Sequence, residues 1–424
     1  MRLGRIGDCR LVRIFVFGIV LAGLLPSYAR GDGISAAEFK KWSKALGKRE
    51  GFDICRWGQL TNPLTKDTGF FAWFYDDEGK GVTIDDNQKG DGFAYIAFAA
   101  GDKKWLYTAP GDVLELRCDE PTERFERREK LSIHRADGMG QHNWEDRDVT
   151  IDAQRGPILL CTKNGHNSGG ADDTSAVDWK TLVTTTEINT GSNDGEYSQE
   201  AQGAVFPIAK NPSQGLGDLP PAKTWVTFGK KAWSGPSDAS INVKVAAVKG
   251  KFRISISVTD DKHIPVKVDA DAAALLRGDH IEIWYDGPAD NSRTTETQVR
   301  QFGFAIPEKA SPPVKPLWLF PPRTKGSPPA QVLASDGNIM VELDMVALGV
   351  KDISQRHEIP FTVVFSDSDD PQAGQQTLVA TSQLHRHDVA SFGSIMTGVE
   401  NRLPALEHVD EFTPALVRKL RPER

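Results

Sequence analysis

Apolar and polar positions alternate in three neighbouring segments of the C-terminal half, at residues 241–248, 251–261 and 280–286. A period of two places successive side chains on opposite faces of a β-strand, so each segment is predicted to have one buried and one polar face. Lys249 and Gly250 separate the first two segments, and a two-residue connection with glycine is typical of a tight hairpin turn. The pattern predicts an antiparallel β-sandwich.

The N-terminal half begins with a helical pattern. Ser35 and Glu38 have the spacing of a capping box, and Gly47 is placed to end the helix. The apolar face consists of Phe39, Trp42 and Leu46. From Gly51 onward, short segments rich in aromatic and branched residues are separated by Gly, Pro and Asp clusters, which predicts strands and turns.

The chain is therefore predicted to be mainly β, with a C-terminal antiparallel β-sandwich preceded by a second β-rich domain that has one short N-terminal helix. With 424 residues, more than one domain is expected. The predicted boundaries are a signal peptide at 1–29, a β-rich domain of unknown family at 34–209, a linker rich in Pro, Gly and Ser at 210–223, the sandwich at 224–400, and a charged tail at 401–424.

The first 29 residues have the features of a secretory signal peptide. Four arginines accompany an apolar stretch at 14–25, and Ser27 and Ala29 supply small residues before the cleavage site. An uncleaved anchor is the alternative, although the apolar stretch is short for a membrane span of about 20 residues. We expect a secreted or periplasmic protein with no membrane span after cleavage.

Charge and cysteine content restrict the partners and the redox chemistry. Cleavage removes four Arg and one Asp, so the formal net charge of −7 becomes about −10. Nucleic acids need a basic face, and they are excluded as partners. Cys55, Cys118 and Cys161 remain after cleavage; export permits a disulfide between two of them, and a buried thiol is the alternative for Cys118.

Five ordered pieces between residues 220 and 400 resemble carbohydrate-binding modules of family 9 and their DOMON-like relatives. The pieces are a turn and strand from Gly235, the acidic end of a strand at 258–261, and the segments 276–287, 340–349 and 361–370; a closing strand at 388–395 fits the same pattern. The resemblance implies a sandwich that binds a polysaccharide or oligosaccharide, and it covers less than half of the chain.

Sugar recognition requires exposed aromatic rings beside charged or amide side chains, because the rings stack on the apolar faces of sugars. The predicted ligand-binding residues are Trp284, Trp318, Glu282, Arg277 and Asp279. Two alternatives stay open. Trp284 lies on a strand whose two faces can both be covered, which would make it a core residue, and Arg277 can form a structural ion pair with Asp279 or Glu282.

Closely spaced carboxylates at strand ends suit calcium, which binds several oxygen ligands. The predicted metal ligands are Asp260, Asp261, Asp367 and Asp369. The resemblance also implies structural calcium. The alternative is that these are ordinary acidic turns of a secreted acidic protein.

The predicted function is that of an exported, non-catalytic carbohydrate-binding protein. The sequence has no nucleophile elbow, P-loop, HExxH motif or dinucleotide fingerprint, so no catalytic residue is nominated. Two alternatives stay open. The first is a glycoside hydrolase with the sandwich as an accessory module, and the second is an envelope structural or interaction protein whose sandwich binds no sugar.

Overall fold

The computed structural model shows a mainly β protein, as the sequence predicts. It describes residues 34–48, 52–76, 94–109, 125–136, 142–168, 171–192, 195–210, 219–267, 271–288, 297–306, 314–321, 326–335, 338–370, 372, 374–384, 388–399 and 406–407. The predicted signal peptide, Cys118 and most of the predicted tail lie outside these residues. Within them, no helix combines the length and the apolar character that crossing a membrane requires.

The strands and helices are numbered in chain order. The first part of the chain contains α1 Ala36–Lys48, β1 Phe52–Thr61, β2 Thr68–Asp76, β3 Ala94–Ala100, β4 Lys103–Ala109, β5 Phe125–Arg128, β6 Leu131–Ala136, β7 His142–Asp152, β8 Gly156–Ser168, β9 Ala171–Asp178, β10 Val183–Ser192 and β11 Gly195–Ala209. The second part contains β12 Trp225–Phe228, β13 Ala239–Val248, β14 Lys251–Asp260, α2 Ala272–Leu275, β15 His280–Pro288, β16 Thr297–Ala305, β17 Leu317–Phe320, β18 Ala330–Ser335, β19 Asn338–Asp344, β20 His357–Asp367, β21 Thr377–Ala380, β22 Gly393–Val399 and β23 Leu406–Glu407. Short 3-10 helices follow β19 at Met345–Leu348 and precede β22 at Val389–Ser391.

The chain divides into two compact units, and their boundary differs from the predicted one. The N-terminal unit comprises Met1–Asn164 and Arg402–Arg424, and the C-terminal unit comprises Gly165–Asn401. Strands β9 to β11, which were predicted to belong to the N-terminal domain, therefore lie in the C-terminal unit. The physical reason is the core described below, to which β11 contributes apolar side chains.

The N-terminal unit is built on a six-stranded sheet with the order β23-β4-β3-β2-β1-β5. One face of this sheet packs on the β6–β7 hairpin, and the other face packs on α1. The predicted capping box is confirmed, since the Ser35 N–H donates to Glu38 Oε2 at 2.8 Å and the Glu38 N–H donates to Ser35 Oγ at 3.2 Å. Cys55 is disulfide-bonded, whereas the buried Cys161 thiol forms no disulfide.

The C-terminal unit is a β-sandwich. One sheet has the order β13-β14-β19-β18, and the other runs β17-β16-β15-β20-β22-β11-β10-β9, with β21 and β12 attached to β20. The core fills the space between the sheets and includes Ile254 and Val341 from the first and Ile283 and Phe302 from the second. The predicted hairpin is confirmed, and Lys249 and Gly250 have φ values of 49° and 78°, as a twisted two-residue turn requires.

Strand β11 is a structural part of this sandwich. It pairs in parallel with β22, so the sheet is not purely antiparallel, and it places Ala204, Phe206 and Ile208 in the core. The Phe206 ring meets Phe361 edge-on, with the ring centroids 5.8 Å apart. A fragment limited to residues 224–400 lacks these contacts.

Replacement of Phe206 tests the assignment of β11 to the sandwich. Phe206 is 5% exposed, so Phe206→Ala should lower the free energy of unfolding of the C-terminal unit by about 3 kcal/mol through lost burial and a residual cavity. Phe228→Ala is the matched control, because Phe228 of the same unit is 55% exposed. Denaturant unfolding monitored by tryptophan fluorescence measures both changes, and equal effects would contradict the assignment.

Candidate metal centre

Five carboxylates and one imidazole meet where several strands of the C-terminal sandwich begin or end. Antiparallel pairing explains the convergence, because the start of one strand lies beside the end of its neighbour. Ala239 at the start of β13 is paired with Asp260 at the end of β14, and His280 at the start of β15 is paired with Ser366 near the end of β20. The six side chains are those of Asp238, Asp260, His263, Asp279, Asp367 and Asp369.

Asp260, His263 and Asp279 form the first of two groups. His263 Nδ1 lies 2.9 Å from Asp279 Oδ2 and 3.5 Å from Asp260 Oδ2. Asp279 is completely buried, and its carboxylate also accepts hydrogen bonds from the backbone N–H groups of Ile264 and Ser368. Asp260 Oδ1 accepts a hydrogen bond from the Lys262 N–H at 3.0 Å. The imidazole and three backbone donors thus hold these two carboxylates.

Asp238, Asp367 and Asp369 form the second group. One carboxylate oxygen from each residue lies within 4.8 Å of the corresponding oxygens of the other two. Asp238 Oδ2 accepts a hydrogen bond from the Ser234 N–H at 2.6 Å. Asp367 is 1% exposed, and neither of its carboxylate oxygens has a hydrogen-bond partner among the described residues. A buried carboxylate without a donor costs several kcal/mol unless it is protonated or meets a cation.

The two groups affect each other electrostatically. Burial, together with the negative charges of four neighbouring aspartates, raises the pKa of the Asp367 carboxyl to about 7. Burial together with the charges of Asp238 and Asp261 also raises the pKa of Asp369. The hydrogen bonds of His263 to Asp260 and Asp279 raise the pKa of the imidazole to about 9. Five carboxyl groups therefore surround one imidazole, and a fraction of the Asp367 carboxyl is protonated at neutral pH.

Such a cluster has the donor set of a hard cation. Calcium and magnesium prefer oxygen ligands such as carboxylates, whereas zinc prefers nitrogen and sulfur ligands. The carboxylates here outnumber the nearby cationic side chains. Lys262 is a cationic neighbour, and its ammonium donates to the backbone carbonyl of Asp369. The orphaned carboxylate of Asp367 fits a bound cation, and these residues can hold one.

The sequence predicted part of this cluster. Asp260, Asp367 and Asp369 are brought together, and Asp279, predicted as a sugar ligand, belongs to the same cluster. Asp261 is exposed and lies outside both groups. Sequence reasoning missed Asp238 and His263. Asp238 lies in the turn from Gly235 and directly precedes β13, and His263 follows Asp260 by three residues, but only the strand pairing shows that they meet Asp367 and Asp279.

Two predicted sugar ligands, Trp284 and Glu282, lie in a buried polar network. Trp284 is 2% exposed, so neither face of its indole is open for stacking, and the core alternative describes its position. Its Nε1–H donates to Glu282 Oε2 at 2.9 Å, and Gln301 Nε2 donates to the same oxygen at 2.8 Å. His280 Nε2 lies 3.1 Å from Glu282 Oε1, and its Nδ1 lies 2.8 Å from the Gly278 carbonyl. Both ring nitrogens of His280 thus face oxygen atoms.

The predicted sugar ligands do not converge on one surface. Trp318, on β17, is paired with Phe302 and packs on the inner core, whereas Trp284 is paired with Gln301 on the opposite face of the sheet. Trp318 is half-buried, and the Arg300 guanidinium lies 5.8 Å from its ring centre. Arg277 is exposed, after helix α2. Of the two predicted indoles, Trp318 alone retains an exposed part.

Comparison with known proteins identifies no relative, since neither the family models nor the curated proteins match this sequence. The resemblance to carbohydrate-binding modules therefore stays a prediction. Function has to be inferred from the chemistry of the cluster and from the exposure of the aromatic residues.

The raised pKa of His263 predicts a pH-dependent stability. A histidine whose pKa is about 9 in the folded state and 6.5 in the unfolded state stabilises the fold fully below pH 6.5, and this stabilisation is lost as the pH rises through 9. In EDTA, the Tm of the C-terminal unit should fall between pH 6.5 and pH 9, and it should fall less in His263→Gln. Differential scanning calorimetry at a series of pH values measures both slopes, and parallel slopes would contradict the ion pair.

Proposed function

We propose that this protein is an exported, non-catalytic carbohydrate-binding protein whose C-terminal sandwich holds a structural calcium ion. The observation that carries the cation part is the Asp367 carboxylate, which is buried without a hydrogen-bond donor and surrounded by four other carboxylates. A divalent cation supplies the missing positive charge and the missing partner at once.

Calcium suits this cluster better than magnesium does. Calcium accepts six to eight oxygen ligands in a flexible arrangement, whereas magnesium requires a nearly ideal octahedron and retains several of its waters. The carboxylates here come from separate chain segments, namely the turn before β13, the end of β14, the start of β15 and the end of β20. Ligands on separate loops and strand ends favour the more tolerant ion.

Export is supported by the predicted signal peptide and by the disulfide at Cys55. Disulfides persist in oxidising compartments such as the periplasm and the extracellular space, and they are rare in the bacterial or eukaryotic cytosol. Calcium is also available in extracellular compartments at the concentrations that weak structural sites need. The two inferences therefore support each other.

The sugar-binding part rests on the ordered resemblance in residues 220–400 and on Trp318. The segments that carry the resemblance fold into one sandwich with a shared core. Trp318 lies on β17, which is the last strand of its sheet, and it is half-buried. The buried Arg300 guanidinium lies over the Trp318 ring, so a sugar would stack on the exposed part of the side chain that Arg300 leaves uncovered.

Calcium should stabilise the protein. At a free calcium concentration about 100-fold above the Kd, binding to the folded state alone adds about 2.7 kcal/mol to the free energy of unfolding. Urea unfolding of the mature chain in calcium and in EDTA measures this difference, with magnesium at the same concentration as the control. Identical unfolding curves in all three conditions would refute the cation part of the proposal.

Sugar binding should depend on Trp318. We expect affinity electrophoresis or isothermal titration with soluble xylan and cello-oligosaccharides to show binding by the mature chain and at least a tenfold loss in Trp318→Ala. Trp225→Ala is the matched control, because Trp225 is another half-buried indole of the same unit, with the Lys223 ammonium 5.0 Å from its ring centre. No binding by the wild type would refute the sugar part, and equal losses in both variants would refute the role of Trp318.

A further inference from the structure

We propose that the carboxylate cluster binds a single cation at Asp238, Asp367 and Asp369, and that His263 and backbone N–H groups hold Asp260 and Asp279 in place of a second cation. This inference rests on the proposed calcium binding and names its ligands. It differs from a two-cation site, which the division of the cluster into two groups of three residues would otherwise allow.

The polar atoms of Asp279, in the first group, already have partners within the chain. His263 Nδ1, the ring atom that faces the carboxylates, lies 2.9 Å from Asp279 Oδ2. Both oxygens of Asp279 accept backbone hydrogen bonds, from Ser368 and from Ile264. Asp279 therefore holds three segments of backbone and side chain together without a metal, and a second cation would have to displace these partners.

In the second group, the carboxylate of Asp367 has no equivalent partner among the described residues. Asp367 offers two buried oxygens without a donor, and it lies with Asp238 and Asp369 in one set of ligand atoms. Asp238 uses only Oδ2 to accept the Ser234 N–H, which leaves Oδ1 for a cation.

The ligands connect two segments that approach each other closely. Asp238 lies in the turn that follows Gly229, and Asp367 and Asp369 lie at the start of the loop that reaches Gln376. The Gln376 N–H donates to the Asp367 carbonyl at 3.0 Å, and the Asp369 N–H donates to Gln376 Oε1 at 2.6 Å. A Cβ on Gly229, whose φ is 70°, would lie 1.8 Å from the Gln376 carbonyl oxygen. A cation at this place would tie the turn to the loop.

Cation stoichiometry tests the inference directly. Equilibrium dialysis of the mature chain against calcium, followed by elemental analysis, should give one calcium per chain that EDTA removes. Two calcium ions per chain would overturn the single-cation inference and leave the proposed function intact. No bound calcium would overturn both, and a sugar titration of the same sample would still report on carbohydrate binding.

Neutral isosteric variants test the assignment of ligands. Asp367→Asn and Asp238→Asn should weaken calcium binding at least 100-fold and 10-fold, respectively, measured by isothermal titration. Asp261→Asn is the matched control, because Asp261 adjoins the cluster but belongs to neither group. The calcium affinity of this variant should differ less than threefold from that of the wild type. His263→Gln should still bind one calcium. Loss of binding in His263→Gln, or unchanged binding in Asp367→Asn, would overturn the inference.

A stability measurement separates lost ligation from lost folding. In EDTA, Asp367→Asn should unfold at the same Tm as the wild type or at a higher one, because the substitution removes a buried, repelled charge. In calcium, its Tm should not rise. A Tm in EDTA well below that of the wild type would show that Asp367 acts through the apo fold, which would overturn its assignment as a cation ligand.

Discussion

Electrostatic repulsion at one end of the C-terminal sandwich is the constraint on which the rest of this unit depends. Antiparallel pairing of β13 with β14 and of β15 with β20 brings strand ends together, and each of these ends carries an aspartate. The hydrophobic core between the sheets fixes the pairing, so the carboxylates cannot separate without loss of core contacts. Their mutual repulsion therefore has to be offset by protonation, by hydrogen bonds or by a positive charge at these positions.

The protein offsets this repulsion in two different ways. His263 and backbone N–H groups neutralise or solvate Asp260 and Asp279 within the chain itself. The carboxylate of Asp367 has no such partner among the described residues. Its pKa is raised because burial and the neighbouring negative charges disfavour the ionised form. The contrast with Glu282 is informative, because that equally buried carboxylate has His280, Trp284 and Gln301 as donors. Those hydrogen bonds outweigh the effect of burial, and the pKa of Glu282 is lowered.

Local sequence signals were sufficient where the structure depends on local contacts. The alternation in residues 241–261 predicted the β13–β14 hairpin, and the capping box at Ser35 predicted the start of α1. In both cases a few adjacent residues determine the conformation through backbone geometry or side-chain hydrogen bonds. The acidic ends of strands also predicted Asp260, Asp367 and Asp369 as metal ligands, and this stays a prediction.

Features that depend on distant contacts were not predictable. Strand β11 lies nearly 190 residues from its partner β22 in the sequence, so its place in the sandwich left no local signal. Trp284 and Glu282 have the side chains expected of an exposed sugar-binding surface. Phe392 and Leu384, from the end of the unit, nevertheless cover Trp284. Asp238 was not predicted as a ligand, because its proximity to Asp367 arises from strand pairing.

The most direct measurement is a crystal structure of the mature chain grown in calcium, with data collected at a wavelength where calcium scatters anomalously. The account predicts one anomalous peak in the C-terminal sandwich, in contact with the carboxylates of Asp238, Asp367 and Asp369, with His263 Nδ1 still bonded to Asp279. A peak bonded to His263, a second peak between Asp260 and Asp279, or no peak at Asp367 would contradict it.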